Sequence, residues 1–271
     1  MVTDLDLTVP DHSRRPLGEL WDLHERVAVV TGAGRGIGRA IALRLAEAGA
    51  RVAVTDVDRG LAEAVAGEIH DADGEALALG LDARDPAAFR QVHGNVAASW
   101  STPDVWVNNV GTYPVRPTLD LTPEQWDSTQ ALNVRSAFLG AQQAAIGMAA
   151  AQSRGVIINI SSVAGVRVSK ADPIDYCVAK AGVTMLTQRI GSEFGALGIR
   201  VVGIAPGFVI TPGAQASPEF SREIGAPHAN TPLGRQMVPD DIARVAVFLA
   251  SDMAAMVTSQ VVVVDGGGRV G

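Results

Sequence analysis

Apolar positions along this chain follow two alternating rhythms. From Arg26 onward, near-continuous runs rich in Val, Ile and Ala occur at Val27–Thr31, Arg51–Asp56, Ala76–Leu81, Val105–Asn109, Val156–Ile160, Arg200–Ala205 and Val261–Asp265. Runs that are apolar at nearly every position predict strands covered on both faces, as in a parallel sheet. Between them the spacing lengthens to that of a helix: Ile37, Ile41, Leu45 and Ala48 share one face, and Gly49 supplies a stop. Thr122-Pro123-Glu124-Gln125 reads as a capping box with proline at the first helical position. Seven strands alternating with helices predict a single α/β domain. Its parallel sheet is doubly wound, with helices on both faces and a ligand at the carboxyl ends of the strands.

Two segments fall outside this rhythm. Residues 1–24 are polar, carry Pro10 and Pro16, and read as an N-terminal extension, either packed on a neighbouring subunit or loose. The domain then occupies 25–271. The stretch from Gly207 to about Val238 is rich in Pro, Gly and Ser, and an irregular segment of that length suggests a substrate lid. No internal repeat or low-complexity linker divides the chain.

Composition narrows the class. With 271 residues, 47% apolar and 19% charged, the chain can bury a large core and is globular. A net charge of −7, with no basic run longer than Arg14-Arg15, argues against nucleic acid as a partner. No apolar run approaches the length of a membrane span. Acidic residues soon after Arg14-Arg15 also rule out an export signal there. The single cysteine, Cys177, leaves no disulfide framework and suits a reducing compartment, so a cytoplasmic location is expected.

Thr31-Gly32-Ala33-Gly34-Arg35-Gly36-Ile37-Gly38 lies between the first strand and the first long helix. Its glycines let a backbone approach a phosphate, and the following helix offers free N–H groups and a positive dipole end. Strand, glycine loop and helix predict a dinucleotide pyrophosphate cradle. The spacing is Gly-x-x-x-Gly-x-Gly over Gly32, Gly36 and Gly38, not Gly-x-Gly-x-x-Gly. Asp56 closes the second strand, where a carboxylate accepts from both ribose hydroxyls of an adenosine and repels a 2′-phosphate. NAD is therefore expected over NADP, although Arg35 and Arg59 could partly offset the repulsion. Asp82-Ala83 follows the third strand and could meet the adenine edge.

Tyr176 and Lys180 stand at i and i+4, one helical turn apart. An ammonium, with the positive charge of an oxidised nicotinamide, would draw a phenol down from its usual ~10 toward working pH. Asn159-Ile160-Ser161-Ser162 ends a strand and sets a hydroxyl at the carboxyl edge of the sheet.

Together these residues resemble the classical short-chain dehydrogenase/reductase family, over essentially all of 25–271. The matching pieces are the glycine loop, Asp56, Asp82-Ala83, Asn108-Asn109-Val110-Gly111, Asn133, Ser162, Tyr176 with Lys180, Pro206-Gly207 with Thr211, and Val264-Asp265-Gly266-Gly267. The resemblance implies a Rossmann-type fold and a homo-oligomer, tetramer or dimer. It makes Tyr176 the general acid/base and has Ser162 hold the substrate oxygen. Lys180 would bind the nicotinamide ribose and lower the Tyr176 pKa, and Asn133 would hold a relay water. Arg35, Gly36, Ile37 and Gly38 would line the pyrophosphate, main-chain groups around Asn109, Gly111, Pro206, Gly207 and Val209 would hold the adenosine ribose and nicotinamide, and Thr211 would lie near the carboxamide. Tyr113 and Phe208 flank these motifs and would line the pocket.

Two departures stand out. Val110 replaces the family's usual alanine, and Ser162 and Tyr176 are 14 residues apart, one more than is common. The extra residue reads as an insertion within the charged stretch Val166–Asp172. Cys177 points off the Tyr176 face and reads as a buried, unreactive thiol. The histidines show no paired spacing, so no metal site is expected, and His228 is a candidate for substrate contact from the lid. The activity implied is NAD(H)-dependent interconversion of a secondary alcohol and a ketone, acting on a small molecule. An NADPH-dependent ketoreductase or 3-oxoacyl reductase, a non-redox enzyme and a non-catalytic nucleotide sensor are the rivals.

Overall fold

The computed structural model describes residues 10–167, 172–216 and 231–268. Seven parallel strands form one sheet in the order β3-β2-β1-β4-β5-β6-β7. They are β1 (Val27–Thr31), β2 (Arg51–Asp56), β3 (Ala76–Gly80), β4 (Val105–Asn108), β5 (Val156–Ile160), β6 (Arg200–Pro206) and β7 (Val261–Val264). The strand order runs outward in both directions from β1, so a crevice opens beyond the carboxyl ends of β1 and β4.

Strand pleating sorts the apolar residues onto two faces. Ala28, Val30, Val52 and Val54 pack against α2 (Gly36–Glu47), α3 (Arg59–Asp71) and α9 (Pro239–Ala250). Val27, Val29 and Trp106 face the opposite way, onto α4 (Pro86–Ser99) and α6 (Ser136–Ala150). The remaining α-helices among the described residues are α1 (Leu17–Leu20), α5 (Pro123–Gln130), α7 (Ile174–Phe194) and α8 (Pro212–Gln215). Both anticipated helix signals are present: Gly49 takes φ +99° after α2, and Thr122 and Gln125 close a reciprocal capping box on α5. Among the described residues, no helix is long and apolar enough to cross a membrane.

The expected strands recur, with small differences at four ends. Asn109 leaves β4 because its amide is taken by Thr31 Oγ1 at 3.0 Å. Asp265 leaves β7 because its own carboxylate accepts from Gly267 N at 2.9 Å, turning the chain. Leu81 falls just past β3, and β6 gains Pro206 through its pairing with Val264.

The described part of the N-terminal segment packs on its own chain. Leu23 is fully buried in the core, Trp21 meets the Phe248 ring, and Arg15 pairs with Asp252 at 2.5 Å. An apolar residue at position 23 sets the edge of the core earlier than residue 25. Much of the expected lid, including Phe220, Ile224 and His228, lies outside the described residues, as does 168–171 of the expected insertion.

Candidate active site

The glycine loop is held from below by β4. Asn109 Nδ2 donates to the carbonyls of Thr31 and Gly32, both at 3.0 Å, so the residue that the resemblance set beside the cofactor also clamps the loop. Thr31 Oγ1 donates to Val107 O at 3.2 Å and completes the clamp. Gly32 and Gly36 adopt φ +61° and +59°, a region that side chains disfavour. A Cβ on Gly38 would stand 2.3 Å from Gly32 O, so α2 presses directly on the loop. Arg35 stands at the helix N-cap with no side-chain cap, so among the described residues no capping side chain takes up the first-turn amides at Gly36, Ile37 and Gly38. Thr211 lies beside Gly36, within 3.6 Å of where its Cβ would be. The segment that runs through Pro206, Gly207 and Val209 thus reaches the loop. Val110, the departure from alanine, spends its extra bulk against Gly32.

Asp56 is anchored at the carboxyl end of β2. Its carboxylate accepts from Gly34 N at 3.0 Å and Asp58 N at 3.1 Å, which fixes it beside the glycine loop. Asp82 is taken up by Arg84, through the backbone amide and both ends of the guanidinium, and this lowers its pKa. Ala83 beside it is buried. The residues present fit a dinucleotide: uncapped helix amides, a loop without side chains and a fixed carboxylate next to it.

Ser162 and Tyr176 come together despite the longer spacing between them, with the Ser162 hydroxyl near enough to the Tyr176 phenol to favour its charged form. Ser161 faces elsewhere, with Oγ donating to Lys180 O at 3.0 Å and contacting Thr184. Lys180 is buried, its Nζ donating to Ile160 O at 2.8 Å and lying 5.7 Å from the centre of the Tyr176 ring. Asn133 sits in a π-helical turn, Ala131–Arg135, a distortion frequent at functional sites. Its side chain donates to Thr112 O and Thr129 O and accepts from Thr112 N. A Cβ on Gly111 would lie 2.7 Å from Asn133 Oδ1 and 3.3 Å from Lys180 Nζ, so a bare α-carbon here lets both side chains converge.

Burial shifts both ionisable groups away from their charged forms. The Tyr176 hydroxyl is pushed up to about 12, chiefly by desolvation, which the Ser162 hydrogen bond only partly opposes and the Asp172 charge reinforces. Lys180 is pushed down to about 8 by desolvation. The phenol therefore stands on the opposite side of its ordinary value from the one that Tyr–Lys spacing suggests.

Sequence spacing gave no sign of several other contacts here. The Tyr113 ring stands edge-on to the Tyr176 ring with centres 4.6 Å apart, and its hydroxyl donates to Asp172 at 2.9 Å. A buried ladder runs from Trp106 Nε1 to Asn108, Asn159 and Thr187, cross-linking β4, β5 and α7 beneath the site. Cys177 is half-buried, more open than expected.

A doubly wound parallel sheet with a phosphate-type loop at its switch point and a Ser–Tyr–Lys group at its edge defines a nucleotide-dependent enzyme architecture. A family model described as enoyl-(acyl carrier protein) reductase matches residues 32–268. The (3R)-3-hydroxyacyl-CoA dehydrogenase of Rattus norvegicus is 38% identical over 253 residues, covering 90% of this chain and 96% of that protein. D-threitol dehydrogenase of Mycolicibacterium smegmatis is 37% identical, covering 90% and 93%. Cis-4-hydroxycyclohexanecarboxylate dehydrogenase of Sinomonas cyclohexanicum is 39% identical, covering 90% and 96%. Among solved structures, a short-chain type dehydrogenase/reductase from Mycobacterium marinum superposes with a TM-score of 0.88 at 32% identity, covering 93% of this chain and 99% of that one. The chain belongs to the classical short-chain dehydrogenase/reductase family, oxidoreductases that use a nicotinamide cofactor, NAD or NADP.

Proposed function

We propose that this protein is an NAD(H)-dependent oxidoreductase that interconverts a secondary alcohol and a ketone, with Tyr176 as general acid/base. The convergence of Ser162, Tyr176 and Lys180 at the carboxyl edge of the sheet carries the reading. When bound, the nicotinamide supplies the hydride donor or acceptor and, oxidised, a positive charge. Ser162 holds the substrate oxygen and Tyr176 exchanges a proton with it, so both hydroxyls meet the charge that develops there. A phenol near 12 keeps its proton at neutral pH, which suits its role as the acid in ketone reduction. Taking a proton in the oxidation direction calls for more positive charge than Lys180 alone provides. Lys180 holds the nicotinamide ribose, and Asn133 holds a relay water beside it.

Asp56 supports NAD over NADP. Its carboxylate is fixed next to the glycine loop, where a 2′-phosphate would meet a like charge, at a cost of about 1–4 kcal/mol. Asp56→Ala is expected to lower the NAD-to-NADP ratio of kcat/KM by ~10-fold or more. Steady-state kinetics with both cofactors checks this, and NADP(H) preference in the unmodified protein would remove the role given to Asp56.

A homo-oligomer, dimer or tetramer, completes the reading. Phe138 and Ile146 on α6, and Val178 and Met185 on α7, are apolar and exposed at helical spacing, a pattern that supports a subunit contact. Light scattering is expected to return a mass at least twice that of one chain. A monomer at working concentration would count against it.

A further inference from the structure

Asp175 is a carboxylate with 1% exposure, one residue before Tyr176, and the chemistry above does not use it. Burying a carboxylate is costly unless its oxygens are fully engaged. Here Oδ1 accepts from Tyr176 N at 3.0 Å, while Oδ2 accepts from Thr129 Oγ1 at 2.7 Å and lies 3.7 Å from Arg116 Nη1. Gln130 Nε2 donates to the Asp175 carbonyl at 2.9 Å. Three separate stretches therefore meet at one residue: the loop after β4, the end of α5, and the first turn of α7.

The contacts lead onward to the site. The Thr129 carbonyl accepts from Asn133 Nδ2 at 3.0 Å, and Asn133 in turn holds both backbone groups of Thr112. Tyr113, three residues before Arg116, rests on the Tyr176 ring. Arg116 Nη1 is buried and makes no hydrogen bond among the described residues, where the Asp175 charge is what answers it. A carboxylate in a helix's first turn also favours the dipole, but that alone needs neither burial nor partners on two other segments.

We propose that Asp175 is a positioning residue for the reaction, with Arg116 as its counter-ion. Together with Thr129 they fasten the loop after β4 and the π-helical turn to the start of α7, which fixes Tyr176 relative to Asn133. The inference rests on Tyr176 being the acid/base. Asp175→Asn keeps the size and one acceptor but loses the charge. Displacements of a fraction of an ångström at a reacting group are enough to slow a reaction markedly.

The test combines kinetics with hydrogen exchange on the full-length protein. Asp175→Asn is expected to lower kcat ~10-fold, with the cofactor Kd changed less than ~2-fold. Arg116→Gln should fall the same way, Arg116→Lys should recover most of the loss, and the double variant should lose little more than the worse single one. Amide exchange should rise at 109–120 and 129–133 as well as at 174–180. An unchanged kcat per cofactor-binding site, or exchange that rises only at the start of α7, would mean that Asp175 merely caps its helix, and would overturn the proposal. Full turnover in Tyr176→Phe would instead remove the acid/base reading. In that case the exchange pattern still decides whether Asp175 ties the three segments together.

Discussion

Tyr176→Phe retains the fold and cofactor binding and loses kcat by ~10²–10⁴-fold, the range that a positioned acid/base contributes. The substitution is a narrow one. Phenylalanine keeps the ring that stands 4.6 Å from Tyr113 and 5.7 Å from Lys180 Nζ, so the packing survives. Only the hydroxyl goes, and with it the group that faces Ser162 and the proton that the reaction exchanges. Steady-state kinetics, together with a cofactor titration, separates the two effects. A fall in kcat at constant cofactor Kd is the expected pattern, and kcat equal to the parent's would exclude Tyr176 from the proton transfer.

Lys180→Met should abolish most activity and yet stabilise the protein near neutral pH. Lys180 is buried and its pKa is lowered to about 8 from an unfolded value of 10.5, so between these values the folded state binds fewer protons than the unfolded one. Stability therefore rises with pH across this window, and below it the full cost of enclosing the ammonium is present. Methionine carries no such cost. The pKa difference corresponds to about 3 kcal/mol, and loss of the hydrogen bond to Ile160 O returns about 1 kcal/mol, leaving the variant more stable by about 2 kcal/mol near neutral pH. Denaturant unfolding at about pH 7 and about pH 10 checks the sign, since the advantage should shrink or reverse at the higher pH. A variant less stable than the parent at about pH 7 would mean that Lys180 is paid for by partners beyond Ile160.

The sequence was most legible where burial is complete. Val27–Thr31, Arg51–Asp56 and Val156–Ile160 match their expected bounds because strands covered on both faces leave an unbroken apolar signature. Ends were less legible where a side chain overrides the ladder, as Thr31 does to Asn109 and Asp265 does to itself. Spacing likewise paired Tyr176 with Lys180, the resemblance singled out Ser162, and the three fold into one cluster. Neither revealed that this cluster is enclosed deeply enough for desolvation to control its pKa values. The Asp175–Thr129–Asn133 chain was also hidden, as was the edge-on contact with Tyr176 made by Tyr113, a residue expected only to line the pocket. They join segments distant in sequence through ordinary residue types, and no periodicity encodes such a meeting. Leu23 was hidden for a related reason: Leu17 and Trp21 stand nearby but are exposed, and nothing in the order of residues singles out the buried one.

The most direct test of the central claim is a single-turnover reaction of NAD⁺ with secondary alcohols deuterated at the carbinol carbon. The set should include the compounds that name the relatives: D-threitol, cis-4-hydroxycyclohexanecarboxylate and a (3R)-3-hydroxyacyl-CoA. Mass spectrometry of the reduced nicotinamide then reads the transferred hydrogen. Deuterium appearing in NADH in step with ketone formation is the expected result. Ketone formed without label in the cofactor, or bound NAD⁺ left unreduced by every alcohol, would contradict it.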